Sequence, residues 1–219
     1  MDYTAPNSRS SALLTIDVQN DFVLPGAPSE IEGSFEYVPA IRKLVLAFRK
    51  NRLPIIHVVR LYEPDGSNAE LCRRGRIEQG RGFVSPGTRG AEIVDALKAD
   101  AAASLDSGLL LAGGLQEMGE CEWVVFKPRW GAFYATGLEA RLKALGVDTL
   151  VISGCNFPNC PRTTVYEASE RDFRIILAVD AVSGIYGQGK KEMAGIGVRL
   201  MLVDECVKWL EGGMDLGSF

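Results

Sequence analysis

Short, continuous runs of aliphatic and β-branched residues recur along the chain. Because these runs lack strict polar alternation, they are typical of strands buried on both faces of a parallel sheet. Six runs fit this description: residues 12–16, 54–59, 123–126, 149–153, 175–179 and 199–203. Stretches with helical spacing lie between them: residues 38–50, 90–103, 138–145, 161–171 and 190–196. The alternation predicts an α/β domain with a mostly parallel central sheet and helices on both faces.

Two stretches interrupt this alternation, residues 61–87 and residues 104–122. Neither has the composition of a flexible linker, and the chain shows no internal repeat, so we expect one domain over residues 1–219. The first stretch carries a cluster of arginines: Arg73, Arg74, Arg76 and Arg81. This cluster fits a segment that closes over an anionic substrate, a solvated loop, or a contact between subunits.

Composition narrows the class of protein. With 219 residues, 47% of them hydrophobic, and a net charge of −4, the chain is a folded protein without the positive field that nucleic acids or anionic membranes require. No apolar run approaches the ~20 residues of a membrane span. The first residues lack the basic segment and apolar core of a secretory signal, so we expect a cytoplasmic protein.

Cysteine and histidine usage limits the chemistry further. The five cysteines are scattered and lack the paired spacing of a zinc site, so we expect reduced thiols. His57 is the single histidine, which excludes metal sites built on imidazole clusters. We therefore expect no metal and no other cofactor. His57 itself fits a hydrogen-bonded structural residue or a residue of the pocket wall.

Charged residues directly follow two of the predicted strands. Ligands of open α/β sheets bind outside the carboxyl ends of the strands. Asp17 follows the first run and Lys127 follows the run at 123–126. We expect the two side chains to pair there, with Asp17 able to move protons. The alternatives are a turn cap for Asp17 and a surface position for Lys127.

Cys160 lies just after the strand predicted at residues 149–153. Pro161 suits the first position of a helix, which makes Cys160 the predicted cap residue. The positive end of a helix lowers the pKa of a thiol and can receive an oxyanion, so we expect a reactive nucleophile that is alkylated first. Cys155 fits either a resolving thiol or a small apolar residue. Buried, inert thiols are expected at Cys72, Cys121 and Cys206.

Four aromatic residues lie close in sequence to these three groups. They fit an apolar substrate pocket or, equally, core packing. They are Phe22, Trp130, Phe133 and Phe157.

Three motifs in order carry a resemblance to a known family. They are the segment 14–22 around Asp17, Lys127 ahead of an aromatic-rich turn, and Gly154 six residues before Cys160. From about residue 12 to residue 183 the chain resembles the isochorismatase-like cysteine hydrolase superfamily. The resemblance implies a Rossmann-like three-layer α/β/α fold, an Asp17–Lys127–Cys160 triad, a small-molecule amide substrate, and a homodimer or higher homo-oligomer.

The resemblance also implies finer features of the site. Backbone amides of Phe157 and Cys160 would receive the oxyanion, and a non-proline cis peptide would join Asn156 to Phe157. The chain departs from many relatives in its Phe157–Pro161 segment, where they show Thr-x-x-Cys-Val. The metal-dependent nicotinamidase branch is disfavoured because only His57 is available.

The sequence therefore predicts a cysteine-dependent hydrolase. It would cleave a C–N bond of an amide, carbamoyl compound or lactam through a thioester-type intermediate on Cys160. The alternatives are an isochorismatase-type ether hydrolase and a catalytically inactive binding protein on the same fold. A nucleotide-binding module is disfavoured because residues 17–21 contain no glycine.

Overall fold

The computed structural model describes residues 2–212. Its central sheet contains β1 (Ser11–Ile16), β2 (Ile55–Val59), β3 (Leu115–Gly119), β4 (Glu122–Phe126), β5 (Thr149–Gly154), β6 (Arg174–Val182) and β7 (Arg199–Met201). The strands lie in the order β3-β4-β2-β1-β5-β6-β7. Neighbouring strands are parallel, except that β3 runs antiparallel to β4 at one edge. The predicted α/β fold with a mostly parallel sheet is confirmed.

Helices cover both faces of this sheet. The α-helices of the described chain are α1 (Asn20–Val23), α2 (Val38–Lys50), α3 (Leu71–Glu78), α4 (Ser107–Leu111), α5 (Leu138–Ala144), α6 (Cys160–Ser169), α7 (Gly187–Gly195) and α8 (Val203–Leu210). Consecutive strand residues point to opposite faces, so Leu13 packs in the core under α2 and α8, and Leu14 packs in the core under α5, α6 and α7. These two cores give the three-layer α/β/α arrangement.

The helix predicted over residues 90–103 is wrong. The segment instead contains two short 3₁₀ turns, Arg89–Ala91 and Asp95–Leu97. Its backbone bonds to the loop after β1: the Val94 N–H donates to the Val18 carbonyl (3.1 Å), and Ile93 forms a β-bridge with Gln19. Tertiary hydrogen bonds therefore replace the helical ones. Ile93, Val94 and Leu97 are buried without a helix.

A second departure lies at the edge of the sheet. The apolar pattern does not indicate β3, because residues 115–119 lack a continuous apolar run and are mostly half-exposed or exposed. It pairs with β4 alone and forms an antiparallel edge. Such edge strands of mixed composition carry a weak sequence signal.

A buried polar network joins β1, β2 and β4. His57 lies between Thr15, with 2.7 Å between Nδ1 and Oγ1, and Glu122, with 2.8 Å between Nε2 and Oε1. Arg49 of α2 donates to both carboxylate oxygens of Glu122, at 2.8 and 2.7 Å. An ionised carboxylate only accepts hydrogen bonds, so His57 carries its proton on Nε2 toward Glu122. The structure confirms His57 as a hydrogen-bonded structural residue.

This network makes stability depend on pH. Burial acts to raise the pKa of Glu122, but the hydrogen bonds from Arg49 and His57 outweigh it and lower the pKa from 4.5 to about 2. A lowered folded-state pKa adds stability above pH 4.5, which is lost as the pH falls toward 2. We expect Glu122→Gln to lower the free energy of unfolding by roughly 2–3 kcal/mol near neutral pH.

Urea denaturation over an acidic pH series measures this effect. The wild-type protein should lose stability between pH 4.5 and 2 more steeply than Glu122→Gln does. Glu120→Gln is the matched control, because Glu120 is exposed and its ion pair with Arg52 is long at 4.0 Å. Parallel pH profiles for the wild type and Glu122→Gln would contradict the assignment.

Among residues 2–212, no helix combines the length and the apolar character needed to cross a membrane.

Candidate active site

Three sequence-predicted residues meet at the carboxyl ends of β1, β4 and β5. Asp17 follows β1, Lys127 follows β4, and Cys160 begins α6 after the loop that leaves β5. The Lys127 Nζ lies 3.0 Å from Asp17 Oδ2 and 3.3 Å from Cys160 Sγ. Their exposed fractions are only 3% for Asp17, 1% for Lys127 and 5% for Cys160. The site is therefore a buried ion pair in contact with a thiol.

Close pairing of β1 with β5 brings the backbone of this site together. Gly154 ends β5 with φ +116°, and a Cβ there would lie 2.1 Å from the Ile16 carbonyl oxygen. Only glycine fits this approach. The next residue, Cys155, donates its N–H to the same carbonyl (2.9 Å), while its Sγ lies 3.6 Å from the Asp17 carbonyl oxygen. Cys155 thus packs beneath the site as a buried residue.

The thiol of Cys160 is protonated in this arrangement. Burial and the negative charge of Asp17 raise its pKa to about 12, against a partial opposing effect of Lys127. Burial acts to lower the pKa of Lys127, but Asp17 and the sulfur outweigh it and raise that pKa, so the amine keeps its charge. The expected low thiol pKa is therefore wrong, because desolvation exceeds the effect of the helix end.

The two carboxylate oxygens of Asp17 have different surroundings. Its Oδ2 pairs with Lys127, whereas Oδ1 is buried and has no hydrogen-bond partner within residues 2–212. A buried carboxylate oxygen without a partner is destabilising, so its presence requires an explanation. Oδ1 therefore has unused capacity to accept a hydrogen bond.

The order of thiol alkylation follows from these environments. The expected burial of Cys72 and Cys121 is wrong, because Cys72 is exposed on α3 and Cys121 is half-buried in the turn between β3 and β4. Burial raises the pKa values of Cys155, Cys160 and Cys206. We expect sub-stoichiometric iodoacetamide near neutral pH to label Cys72 before Cys160, as read by peptide mapping. The Cys72→Ser variant should then react slowly. Cys160 labelled ahead of Cys72 would contradict the closed, protonated site.

The loop before α6 differs from expectation in two respects. The helix starts at Cys160 itself, with Asn159 as its N-cap and Pro161 in its second position, because one further residue enters the helix. The peptide bond between Asn156 and Phe157 is trans, as are all described peptide bonds, so the expected cis bond is wrong.

One of the two expected backbone donors is already occupied. The Phe157 N–H donates to the Ser183 carbonyl (2.8 Å) and is therefore not free for an oxyanion. Within residues 2–212, the N–H of Cys160 donates to no acceptor. Of the two predicted oxyanion donors, Cys160 is the one that the structure leaves available.

The four predicted pocket aromatics occupy three places. The Phe22 and Trp130 rings lie 5.8 and 4.7 Å from the Arg73 guanidinium. Phe157 is buried against Tyr186 (5.6 Å between ring centroids). Phe133 packs 5.7 Å from Phe173, which directly precedes β6 and so lies at the amino end of that strand. Phe133 therefore lies away from the triad, which is at the carboxyl ends of the strands.

Sequence reasoning missed Arg60, although the same strand-end rule applies to it. Arg60 follows β2, is 1% exposed, and donates to the Lys127 carbonyl (3.1 Å) and to Glu70 Oε1 (3.3 Å). Burial acts to raise the pKa of Glu70, but Arg60 and Tyr62 outweigh it and lower that pKa, so Glu70 is ionised. Arg60 and Glu70 thus form a second buried ion pair behind the triad lysine.

Nothing in the described part of the chain resembles a metal centre. No three His, Cys, Asp or Glu side chains within residues 2–212 cluster as metal ligands would. Cations of the protein itself, Lys127 and Arg60, occupy the carboxyl ends of β4 and β2.

The sequence and the fold of this chain match those of known proteins. A model of the isochorismatase domain matches residues 11–105 and 111–203. This chain belongs to the isochorismatase family. A protein of Arabidopsis thaliana named as a probable inactive nicotinamidase is 33% identical over 203 residues, 90% of this chain and 94% of that protein.

Further isochorismatase-family relatives match in structure and in sequence. The solved structure of an isochorismatase family protein from Desulfovibrio vulgaris has a TM-score of 0.77 and 33% identity, and the match covers 92% of this chain and 98% of that one. N-carbamoylsarcosine amidase from an Arthrobacter species is 26% identical over 172 residues, 78% of this chain and 58% of that enzyme. The family thus includes hydrolases that act on amides, and the predicted family is confirmed.

Proposed function

We propose that this chain is a cysteine-dependent hydrolase that cleaves the C–N bond of a small amide, carbamoyl compound or lactam. The observation that carries the proposal is the contact of Lys127 Nζ with both Asp17 Oδ2 (3.0 Å) and Cys160 Sγ (3.3 Å). The contact unites a nucleophile, a base and a charge stabiliser in one buried site. Membership in a family with amidases supports the same reaction class.

The energetics of the Asp17–Lys127 pair indicate that the site was selected for chemistry, and the Cys160 thiol beside Lys127 favours an enzyme over an inactive binding protein. A buried ion pair is often no more stabilising than apolar residues of the same volume, because both charges lose their hydration. The structure nevertheless keeps Asp17 and Lys127 almost completely buried, with Asp17 Oδ1 unpartnered. Such an arrangement is explained by proton transfer and not by stability.

Acylation begins with the proton on sulfur. Asp17 accepts the Cys160 proton as the sulfur attacks the carbonyl carbon, and the carbonyl oxygen becomes an oxyanion that the Cys160 N–H receives. The C–N bond then breaks, and the leaving nitrogen takes the proton from Asp17. An acyl thioester on Cys160 and a free amine or ammonia are the products of this half-reaction.

Deacylation reuses the same groups. Asp17 takes a proton from water, and the resulting hydroxide attacks the thioester carbon. The C–S bond breaks, the sulfur regains the proton, and a carboxylic acid leaves. Throughout both steps Lys127 stabilises negative charge on the Asp17 carboxylate and on the sulfur, both of which its Nζ contacts. No step requires a metal or an organic cofactor.

Release of amine or ammonia from a panel of linear amides, N-carbamoyl compounds and lactams tests the proposal. Intact-mass analysis during turnover should show an acyl adduct, which peptide mapping places on Cys160. Cleavage of a vinyl ether alone would indicate an isochorismatase-type ether hydrolase. Binding without hydrolysis of any member would indicate an inactive binding protein.

A further inference from the structure

Arg73 occupies an aromatic enclosure next to the triad. We call this enclosure the Arg73 cage. Its walls are the rings of Phe22, Tyr62, Phe83 and Trp130, whose centroids lie 4.7 to 5.8 Å from the guanidinium carbon. Arg73 projects into the cage from α3 and donates one hydrogen bond, from Nη1 to the Tyr62 hydroxyl (2.7 Å).

The charges around the triad do not balance. Three buried or partly buried cations lie around the triad, and two of them have carboxylate partners: Lys127 pairs with Asp17 (3.0 Å), and Arg60 pairs with Glu70 (3.3 Å). None of the carboxylates within residues 2–212 forms an ion pair with Arg73. A partly buried guanidinium without a direct ion pair can still bind an anion through charge-assisted hydrogen bonds.

Tyr62 does not supply the missing negative charge. Its hydroxyl donates to Glu70 Oε2 (2.7 Å), so its oxygen is left to accept from Arg73. Burial raises the pKa of Tyr62 strongly, which keeps the phenol neutral. Arg73 therefore has a neutral partner and four unused N–H donors.

The Arg73 cage is continuous with the catalytic groups. Trp130 belongs to the same loop as Lys127, whose Nζ donates to the Arg129 carbonyl (3.2 Å). Phe22 belongs to α1, which follows Asp17. Arg73 lies 4.7 Å from the centroid of the Trp130 ring, and so reaches the loop that carries Lys127. Burial acts to lower the pKa of Arg73, but Tyr62, Glu70 and the Cys160 sulfur outweigh it and raise that pKa, so the guanidinium keeps its charge.

We propose that Arg73 is a specificity-determining residue that binds a carboxylate of the substrate, so that the enzyme prefers amides bearing a second, anionic group. The proposal rests on the proposed hydrolase function and names its substrate class. The substrate carboxylate forms the ion pair that the protein leaves open, and the cage rings hold the guanidinium in a fixed orientation.

The neighbouring arginines have different surroundings. Arg74 directs its Nη2 to the carbonyl oxygens of Ser67 and Ala69, both at 3.4 Å. Arg76 donates to the Pro28 carbonyl. Neither guanidinium contacts Tyr62 or Trp130 in the described structure, so Arg74 is a matched control for Arg73 on the same helix.

Matched amides that differ in charge test the proposal. Hydrolysis of malonamate, succinamate and glutaramate is compared with that of their methyl esters and of 4-aminobutanamide, which is cationic. We expect the best anionic amide to exceed its ester in kcat/KM, and Arg73→Gln to reduce that ratio by roughly 30-fold or more. Arg73→Lys should retain part of the preference, and Arg74→Gln should retain all of it.

A binding measurement separates this proposal from the proposed function. Titration calorimetry with succinate, which contains no amide, should show binding to the wild type and to Arg74→Gln, and binding weakened at least about 30-fold in Arg73→Gln. Succinate binding of this kind without hydrolysis of any amide would refute the hydrolase and leave the anion site standing. Amide hydrolysis without charge discrimination, or a preference for 4-aminobutanamide, would overturn the role of Arg73.

Discussion

Replacing Cys160 by alanine is expected to reduce amide hydrolysis by at least about 10⁴-fold, because the variant has no atom to form the covalent intermediate. Stability should change little. Cys160 is 5% exposed and loses only its sulfur, which costs about 1 kcal/mol when the cavity is small. Steady-state kinetics and urea denaturation of the same preparations measure the two quantities.

Cys206→Ala provides the control for this experiment. Cys206 is also a buried free thiol, but it lies on α8, on the other face of the sheet. Its variant should keep wild-type kcat/KM with a comparable change in stability. Cys160→Ala with near-normal turnover would show that another group is the nucleophile.

Replacing Lys127 by methionine should have the largest effect on stability. The variant leaves the Asp17 carboxyl group buried and without its 3.0 Å partner. Removing one partner of a buried ion pair typically costs about 3–5 kcal/mol, because the remaining charge stays desolvated. We expect a loss of this size in the free energy of unfolding, together with loss of hydrolysis.

The double variant Asp17→Leu with Lys127→Met distinguishes stability from catalysis. Because both charges are removed together, it should recover most of the lost stability and remain inactive. Lys143→Met is a surface control, since Lys143 forms an exposed pair with Glu139 on α5. A double variant no more stable than Lys127→Met would contradict the assigned cost of the unpaired carboxylate.

Strand ends made much of the site predictable from the sequence. A buried run that ends in a charged residue places that charge at the carboxyl edge of the sheet, and this rule located Asp17 and Lys127. The same rule also predicts a charge at the carboxyl end of β2, where Arg60 lies. Tyr62, Glu70 and Arg73 follow no such rule, because their positions depend on how the loop after β2 folds back over the sheet.

The state of the thiol was not predictable from local sequence. A helix N-terminus stabilises a thiolate, and that effect was visible in the position of Pro161. Burial depends on the side chains packed around Cys160, and it raises the pKa of the thiol to about 12. Desolvation is the larger effect, and only the folded structure reveals it.

Local pattern also failed where tertiary contacts replaced local hydrogen bonds. Residues 90–103 have apolar positions compatible with a helix, yet their backbone bonds to the loop after β1. The six predicted strands, by contrast, depend on continuous apolar runs that the sheet buries, and all six are present.

The buried Asp17–Lys127 pair also constrains how such a protein can evolve. Losing either charge alone leaves the other desolvated and unpaired. Each single substitution in the pair therefore gives a destabilised protein. Cys160 carries no such constraint, because a neutral thiol can be exchanged for another small residue at little cost. A lineage released from selection for catalysis would therefore lose the thiol first and keep the ion pair as an inherited structural element. Among the three residues, retention of Cys160 is the most informative sign of continued selection for chemistry.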